Sequence, residues 1–398
     1  MKWSARNSSI FLALLLVAGC ASNRPEKIEH TLQRASSPAW SLKLQNDEIV
    51  VAVSPTGKAL RIVGSSGLVV GAVIDANVNA RFREKILAAL SDYNPSEVLE
   101  DRFTKRMEMT FGERLSRIAP LGSTAGFHNE QEALEKRLKR LEKKNIDALL
   151  DLNTTYGIYG PDAILAMRVS GNAYGFSSPQ RLWRKTIVTT YGEILADFRA
   201  KDPTDLVKPD ISSGLTVEEH AIEALIQDEG AFLKTAFDDL CTGTIAAVLC
   251  DIGIDTSPEG YYYLGKSLML RGKYHEADAC FVKALNQRPE WLSALNSHAV
   301  AVARSGNVEG AIAITEDICR LNPEYSTGWY KLAYWYALET KEYQKARECY
   351  QKSLQLKGPP NQKIERVLGL EQPSKADTSK GANSSTTLRT SASHREDR

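Results

Sequence analysis

The spacing of apolar residues changes along the chain and divides it into regions. Residues 10–17 (IFLALLLV) form one unbroken apolar run. From about residue 41 to 255, short β-rich runs alternate with stripes of helical period, and from 258 to 358 only the helical period remains. Residues 371–398 contain ten Ser or Thr and one large apolar residue, which is too little to form a core, so we expect a disordered tail there.

The middle region, residues 41–255, predicts an α+β domain with helices packed on a mostly antiparallel sheet. Ile49–Val53 and Leu68–Asp75 are rich in β-branched residues and predict two strands. Three more β-rich runs are separated by turns that contain Gly and Pro, and this order predicts an antiparallel meander. They are Ile146–Tyr156, Ile164–Tyr174 and Leu182–Tyr191.

Stripes of helical period flank these strands. Residues 79–93 place their apolar side chains on one face of a helix, with Asn79 as the predicted N-cap. Residues 133–145 repeat leucine every three or four positions beside charged pairs, which is typical of a surface helix. A capping box that begins at Thr216 predicts a further helix over about 217–240. This order of elements broadly resembles small α/β domains of Gram-negative envelope lipoproteins, such as the curli-secretion family.

The chain repeats every 34 residues from residue 258 onward. Small residues recur at Gly265, Ala299 and Ala333, and prolines recur at Pro289 and Pro323. A large residue, a small residue, Ala and Pro in this order and at this period resemble the tetratricopeptide repeat.

The resemblance implies three repeats over 258–358, each of two antiparallel helices, followed by a capping helix over 359–370. The small residues let the two helices approach closely, and the proline ends the second helix. In the third repeat, Ala346 and Tyr350 lie one position late, so we expect one extra residue between its helices.

The resemblance also implies a groove, because the first helix of each repeat in that family lines a concave surface. Carrying those positions over gives eight candidate groove residues. They are Tyr262, Lys266, Met269, Asn296, Val300, Arg304, Tyr330 and Tyr334. Tyrosines with Lys, Asn and Arg suit the binding of a peptide. The alternative is that the repeats pack only against their own α/β domain.

Residues 259–267 (EGYYYLGKS) also fit the phosphate-binding pattern G-x-x-x-x-G-K-S. That pattern binds a nucleotide when a strand precedes it and a helix begins at the Lys. Here Ser257 and Pro258 are typical of the N-cap and first residue of a helix, which would already contain Gly260. We therefore expect no nucleotide, and we expect Lys266 to meet a carboxylate of a protein partner.

The first twenty residues have the form of a secretory signal that ends in a lipidation site. Lys2 and Arg6 precede the apolar run, which is too short to span a bilayer as a helix. The run ends in VAGC, with Cys20 last, and this resembles the lipobox of bacterial lipoproteins. The resemblance implies that residues 1–19 are removed as a signal peptide and that Cys20 carries the lipid, including palmitate.

The residue after Cys20 indicates which membrane would hold the lipid anchor. It is Ala21 rather than Asp, so the resemblance implies the outer membrane, with the protein facing the periplasm. Residues 20–40 would then comprise the lipidated cysteine and a polar tether.

The cysteine and histidine content and the net charge limit which disulfides, metal sites and partners we expect. Five cysteines follow Cys20, an odd number, and Cys241 with Cys250 is the candidate disulfide. A straight helix would hold these two about 13 Å apart, so pairing requires a bend, for which Gly243 is the candidate. No C-x-x-C occurs and the six histidines are scattered, so we expect no metal site. A net charge of +1 gives no indication of a nucleic-acid partner.

Known motifs for hydrolase nucleophiles, zinc proteases and dinucleotide binding are missing from the sequence, so we expect neither an enzyme nor a cofactor. The sequence favours an outer-membrane lipoprotein that binds envelope proteins through its repeats, as a scaffold or assembly factor. Two alternatives remain open. One is a secretion-accessory or ligand-binding α/β lipoprotein whose repeats drive oligomerisation, and the other is an envelope hydrolase.

Overall fold

The computed structural model describes eight stretches of the chain. They are residues 31–32, 34–45, 48–53, 76–121, 130–160, 163–176, 180–192 and 216–370. The predicted signal peptide, Cys20, the predicted strand Leu68–Asp75 and the tail 371–398 lie outside the described residues. The described residues divide into two compact units, with the boundary between Asn307 and Val308.

Six strands among the described residues form one sheet in the first unit. They are β1 (Pro38–Leu44), β2 (Val50–Ala52), β3 (Ser116–Arg117), β4 (Ala148–Tyr159), β5 (Ile164–Gly175) and β6 (Gln180–Thr190). The order across the sheet is β3-β1-β4-β5-β6, and β2 pairs with the far end of β4.

The sheet is mixed rather than mostly antiparallel. The predicted meander is present, since β4 pairs antiparallel with β5, and β5 with β6. By contrast, β1 and β2 lie parallel to β4, and β3 lies parallel to β1. Parallel neighbours need a crossover connection, which the helices between β2 and β4 supply. β1 begins at Pro38, so the last residues of the predicted tether 20–40 belong to the sheet instead.

Five helices among the described residues accompany the sheet in the first unit. They are α1 (Ala76–Ala89), α2 (Pro95–Phe111), α3 (Glu130–Glu142), α4 (Thr216–Leu225) and α5 (Gln227–Asp251), with a 3₁₀ turn at Gly112–Arg114. Tyr156 of β4 packs edge-on against Phe237 of α5, with ring centroids 5.1 Å apart, and Phe103 of α2 is buried. Leu149 of β4 points to the opposite face of the strand, where it forms a second cluster with Leu138 of α3.

Two helix predictions need correction. Asn79 lies inside α1, and its side-chain oxygen accepts a hydrogen bond from the Val53 amide at 2.9 Å, so it joins α1 to the end of β2 instead of capping the helix. The helix predicted over 217–240 is two helices. Residues 228–230 have left-handed φ angles of 52°, 57° and 77°, and they separate α4 from the body of α5.

The first unit also contains α6 (Pro258–Leu270), α7 (Tyr274–Gln287) and α8 (Leu292–Arg304). A Cβ added to Gly265 of α6 would lie 2.6 Å from the ring of Phe281 on α7, which confirms the predicted close approach. The turn between these two helices passes through Gly272, whose φ of 71° favours glycine. Tyr261 is only half-buried, whereas its neighbour Tyr262 is 5% exposed.

The second unit contains four described helices: α9 (Val308–Leu321), α10 (Ser326–Leu338), α11 (Tyr343–Gln355) and α12 (Gln362–Leu368). The turn between α10 and α11 is one residue longer than the turn between α6 and α7, as predicted. α12 follows α11, and its residue Glu365 accepts a hydrogen bond from the Tyr350 hydroxyl at 2.7 Å. None of the described helices is long and apolar enough to span a membrane.

Candidate functional site

The stretch that fits the phosphate-binding pattern is part of helix α6. The Ser257 side chain accepts a hydrogen bond from the Gly260 amide at 3.1 Å, and Pro258 occupies the first turn, so the predicted helix start is confirmed. The pattern's glycines, Gly260 and Gly265, are both helical. Backbone amides in a helix are used by the helix itself beyond its first turn, so this segment does not have the open loop that cradles a phosphate.

Lys266 is held inside the first unit, which corrects the expectation that it meets an anion of a partner. The residue is 3% exposed, and its ammonium donates to the carbonyl oxygens of Thr190 at 2.7 Å and Gly192 at 2.6 Å. It also lies 5.6 Å from the ring centroids of Tyr262 and Tyr263. Two carbonyl dipoles and two aromatic faces thus stabilise this buried charge.

The neighbouring residue, Ser267, joins α6 to the same strand. Its hydroxyl oxygen accepts a hydrogen bond from the Val188 amide at 3.1 Å in a fully buried position. β6 is the last strand in the order of the described sheet, and an unpaired edge strand invites aggregation. Ser267 therefore satisfies the Val188 amide of β6, and Lys266 satisfies the carbonyls of Thr190 at the end of β6 and of Gly192 just beyond it.

The predicted groove residues of the first unit define what we call the inner face of α6 and α8. They are Tyr262, Lys266 and Met269 on α6, and Asn296, Val300 and Arg304 on α8. Five of the six are at most 5% exposed, and Arg304 is half-buried. Tyr262 packs against Trp291 with ring centroids 4.5 Å apart, so it belongs to the core of the repeat. The inner face is therefore a covered surface rather than an open groove.

The two groove residues predicted in the second unit are also buried. Tyr330 is 2% exposed and its hydroxyl accepts a hydrogen bond from the Asn361 side chain at 2.7 Å, just before α12. Tyr334 is 4% exposed. Both tyrosines were predicted to contact a partner. Tyr330 instead binds Asn361, the residue that precedes α12.

Two polar residues between positions 292 and 325, His298 and Thr315, make local contacts. His298 of α8 lies 2.9 Å from the carboxylate of Asp278 on α7. Burial lowers the pKa of His298, and the nearby Asp278 opposes this change. Thr315 of α9 is buried and donates its hydroxyl to the Ala311 carbonyl at 2.8 Å.

The first unit has a concave surface that the sequence analysis did not predict. It is a cleft of about 820 Å³ between α2, α5 and the start of α6. Its apolar lining includes Val98, Met109 and Ile245, and Met109 is 79% exposed at the rim. A volume of this order is typical of pockets that bind small ligands or peptide side chains.

Charged residues line the same cleft and link its two walls. Arg102 of α2 pairs with Asp238 of α5 at 3.0 Å, and Tyr93 donates to the same carboxylate at 2.9 Å. Arg106 of α2 pairs with the buried Asp255. Arg102 joins α2 to α5, and Arg106 joins α2 to the connection between α5 and α6, so the first role of these arginines is to hold α2 in place. None of the predicted site residues lines the cleft.

The candidate disulfide is not formed. Cys241 and Cys250 are free thiols, both buried on α5, and the helix continues through Gly243 without the required bend. Gly243 has another role, because a Cβ there would lie 2.2 Å from the ring of Tyr263 on α6. Burial raises the pKa of both thiols, so neither is an activated nucleophile.

The helix pairs are matched by known sequence families. Models of the tetratricopeptide repeat match residues 258–291 and 326–359. A search of curated proteins found no match. Among solved structures, the Sgt2 tetratricopeptide domain from Aspergillus fumigatus is 23% identical and aligns over 34% of this chain and 90% of its own length, with a TM-score of 0.27. That score is too low to indicate a shared overall fold.

The two family matches confirm that the C-terminal part of the chain contains tetratricopeptide repeats. Arrays of this class bury a continuous core between stacked helices and present extended surfaces for other proteins. This supports protein binding as the general function of the repeats.

Proposed function

We propose that this protein is a scaffold or assembly factor of the bacterial envelope that binds other proteins through its tetratricopeptide repeats. The observation that carries the proposal is the pair of family matches at 258–291 and 326–359, together with the helix pairs of the structure. The proposal assigns the protein no catalytic step. Its partners are envelope proteins or peptides.

The proposal includes an outer-membrane anchor that faces the periplasm. Its support is the sequence VAGC at residues 17–20 behind an apolar run, followed by Ala21. Several acyl chains on Cys20 would hold the protein firmly, since each buried methylene contributes about 0.8 kcal/mol. Cells supplied with labelled palmitate provide the test. We expect the intact protein to take up label and a Cys20→Ser protein to take up none, and label on the variant would contradict the anchor.

Protein binding is tested by crosslinking in the intact envelope. Arg304 is the half-buried residue of the inner face and takes part in a polar or electrostatic interaction, so an Arg304→Glu change reverses the charge there and removes that interaction. We expect this variant to lose crosslinked proteins that the unchanged protein retains. Arg320→Glu is the matched control, because the Arg320 side chain is 69% exposed. Among the described ion pairs, its partner is Asp317, three residues away on the same helix. An identical set of crosslinks in all three proteins would contradict binding through this face.

The cleft between α2 and α5 favours a second candidate function, ligand binding by the α/β part of the protein. Its volume of about 820 Å³ and the exposed Met109 at its rim are the supporting observations. A Met109→Lys protein that kept its repeat-dependent crosslinks but lost a bound envelope component would assign that component to the cleft. No loss of any component in that variant would count against this candidate.

A further inference from the structure

The exposed side of α3 carries a dense group of positive charges near the end of the helix. Between positions 136 and 144 the chain has six basic residues and one acidic residue, Glu142. Leu138 of α3 is buried in a cluster with Leu149 and Tyr174 of the sheet. At 3.6 residues per turn, the last basic residues of α3 point away from that cluster, and they are exposed. What we call the basic surface consists of Lys139, Arg140, Lys143 and Lys144.

The positive charge is concentrated at this one end of α3. The first half of the helix is acidic instead, with glutamates at positions 130, 132 and 135. Lys136 pairs with Glu132 at 2.7 Å, so its charge is compensated within the helix. Within the part of the chain that the structure describes, the four side chains of the basic surface form no ion pair. They are therefore free to attract an anionic partner.

The chain that comes from Cys20 enters the first unit beside the basic surface. Asp147 lies three positions after Lys144, and its carboxylate accepts hydrogen bonds from the amides of Ser36 at 2.6 Å and Ser37 at 3.1 Å. These bonds join the chain just before β1 to the turn that follows α3. The described residues nearest in sequence to the proposed lipid anchor therefore lie next to the positive charges.

The first described residue, Thr31, lies at the same end of the sheet. A Cβ added to Gly175 would be 2.9 Å from the Thr31 methyl group, and the next residue, Phe176, donates its amide to the Asp147 carbonyl at 3.0 Å. Eleven residue steps separate Cys20 from Thr31, and at about 3.3 Å each they span at most about 36 Å. A tether this short holds the basic surface at a high effective concentration near the lipids that surround the anchor.

We propose that the basic surface binds the headgroups of anionic phospholipids, so that the end of α3 faces the membrane. The inference rests on the proposed lipid anchor at Cys20. Ammonium and guanidinium groups form charge-assisted hydrogen bonds with phosphate oxygens. Each basic residue near an anionic membrane strengthens binding about fivefold, so four residues together contribute on the order of several-hundred-fold.

Cosedimentation with vesicles tests this surface without the anchor. The protein is the chain 20–398 with Cys20→Ser, which keeps every described residue and has no thiol at position 20 to carry a lipid. The vesicles are phosphatidylcholine alone or with one-third phosphatidylglycerol, and we expect binding to the mixed vesicles only. A variant that reverses the four charges should bind them about 100-fold more weakly. Its substitutions are Lys139→Glu, Arg140→Glu, Lys143→Glu and Lys144→Glu.

The matched control makes the same change in net charge with the same residue types in the second unit. All four of its positions are exposed, and we expect it to keep most of its binding. Its substitutions are Arg320→Glu, Lys341→Glu, Lys357→Glu and Lys363→Glu. Circular dichroism of both variants checks that they remain folded. Equally weak binding by the two variants would overturn the proposal, and so would equal binding of the unchanged protein to the two kinds of vesicle.

Salt dependence gives a second measurement that needs no variant. Raising NaCl from about 0.05 to about 0.5 M shortens the screening length from about 14 to about 4 Å and should release the unchanged protein from the vesicles. Binding that is independent of salt would refute the proposal. No binding to vesicles, with crosslinks from position 140 to an acidic envelope protein, would also refute it and would assign the surface to that protein. Uptake of palmitate at Cys20 is measured separately, so a failure of the anchor and a failure of the basic surface are distinguishable.

Discussion

Replacing Lys266 with methionine tests whether this residue stabilises the first unit or serves a ligand. The substitution keeps most of the side-chain volume but removes the ammonium that donates to the Thr190 and Gly192 carbonyls at 2.7 and 2.6 Å. Hydrogen bonds from a charged donor contribute about 1.5–3 kcal/mol each. Removing a charge that is 3% exposed also relieves a desolvation cost, which offsets part of this loss. We expect a net destabilisation of about 2–3 kcal/mol.

Urea unfolding followed by tryptophan fluorescence and circular dichroism would measure this change. For a unit of this size, a loss of 2–3 kcal/mol corresponds to a fall in Tm of about 4–12 °C. Lys283→Met is the matched control, because Lys283 is exposed and its ammonium lies over the Tyr261 ring at 5.2 Å, a contact worth about 0.5–1 kcal/mol. Equal unfolding free energies for the two variants would refute the assignment of Lys266 to the stability of the fold.

Three further predictions concern the helices around this site. A Gly243→Ala change should cost about 1–3 kcal/mol in urea unfolding, because the new Cβ would lie 2.2 Å from the Tyr263 ring; an unchanged midpoint would contradict this contact. In a chain that begins at residue 21, Cys241 and Cys250 should react with iodoacetamide at pH 8 only after unfolding, since burial raises the pKa of both thiols; rapid labelling of the native protein would be inconsistent with it. Burial lowers the pKa of His298 in the folded state, so its contribution to stability is present above its unfolded pKa of about 6.5 and is lost as pH falls through that value and then the lower folded pKa. A His298→Gln protein should therefore lose less stability than the unchanged protein between pH 7 and 5, and parallel curves would rule out this role.

The repeats could be predicted from the sequence because their signals are local and periodic. Glycine at 265 marks a helix contact, and glycine at 272 marks a turn with positive φ. In the third repeat, the turn conformation could not be predicted from the residue types. Its turn places Lys341 at a φ of 64°, a conformation that glycine favours, and the composition of the repeat gives no sign of it.

The sheet was predicted only in part, for a physical reason. The meander from β4 to β6 joins strands that are adjacent in sequence, so turn residues and alternation reveal it. β1 pairs with β4 across 110 positions, as in the register of Ser41 with Asp151, and no local pattern encodes such a distant parallel partner. α2 had a usable signal that was missed. Asn94 caps the helix through the amides of Ser96 and Glu97, and Pro95 follows it directly.

The candidate groove residues show the limit of carrying positions over from a repeat family. Helical spacing correctly placed Lys266 and Asn296 on the first helices of their repeats, but spacing alone does not say what lies against that side of the helix. In this chain, the end of β6 lies against Lys266 and Ser267. The predicted boundary between an α/β domain ending at 255 and repeats beginning at 258 is therefore a boundary in pattern, not in packing. The first repeat covers β6, the last strand in the order of the described sheet. Because β6 lies against α6, the side of α6 that carries Lys266 and Ser267 is not open to other proteins.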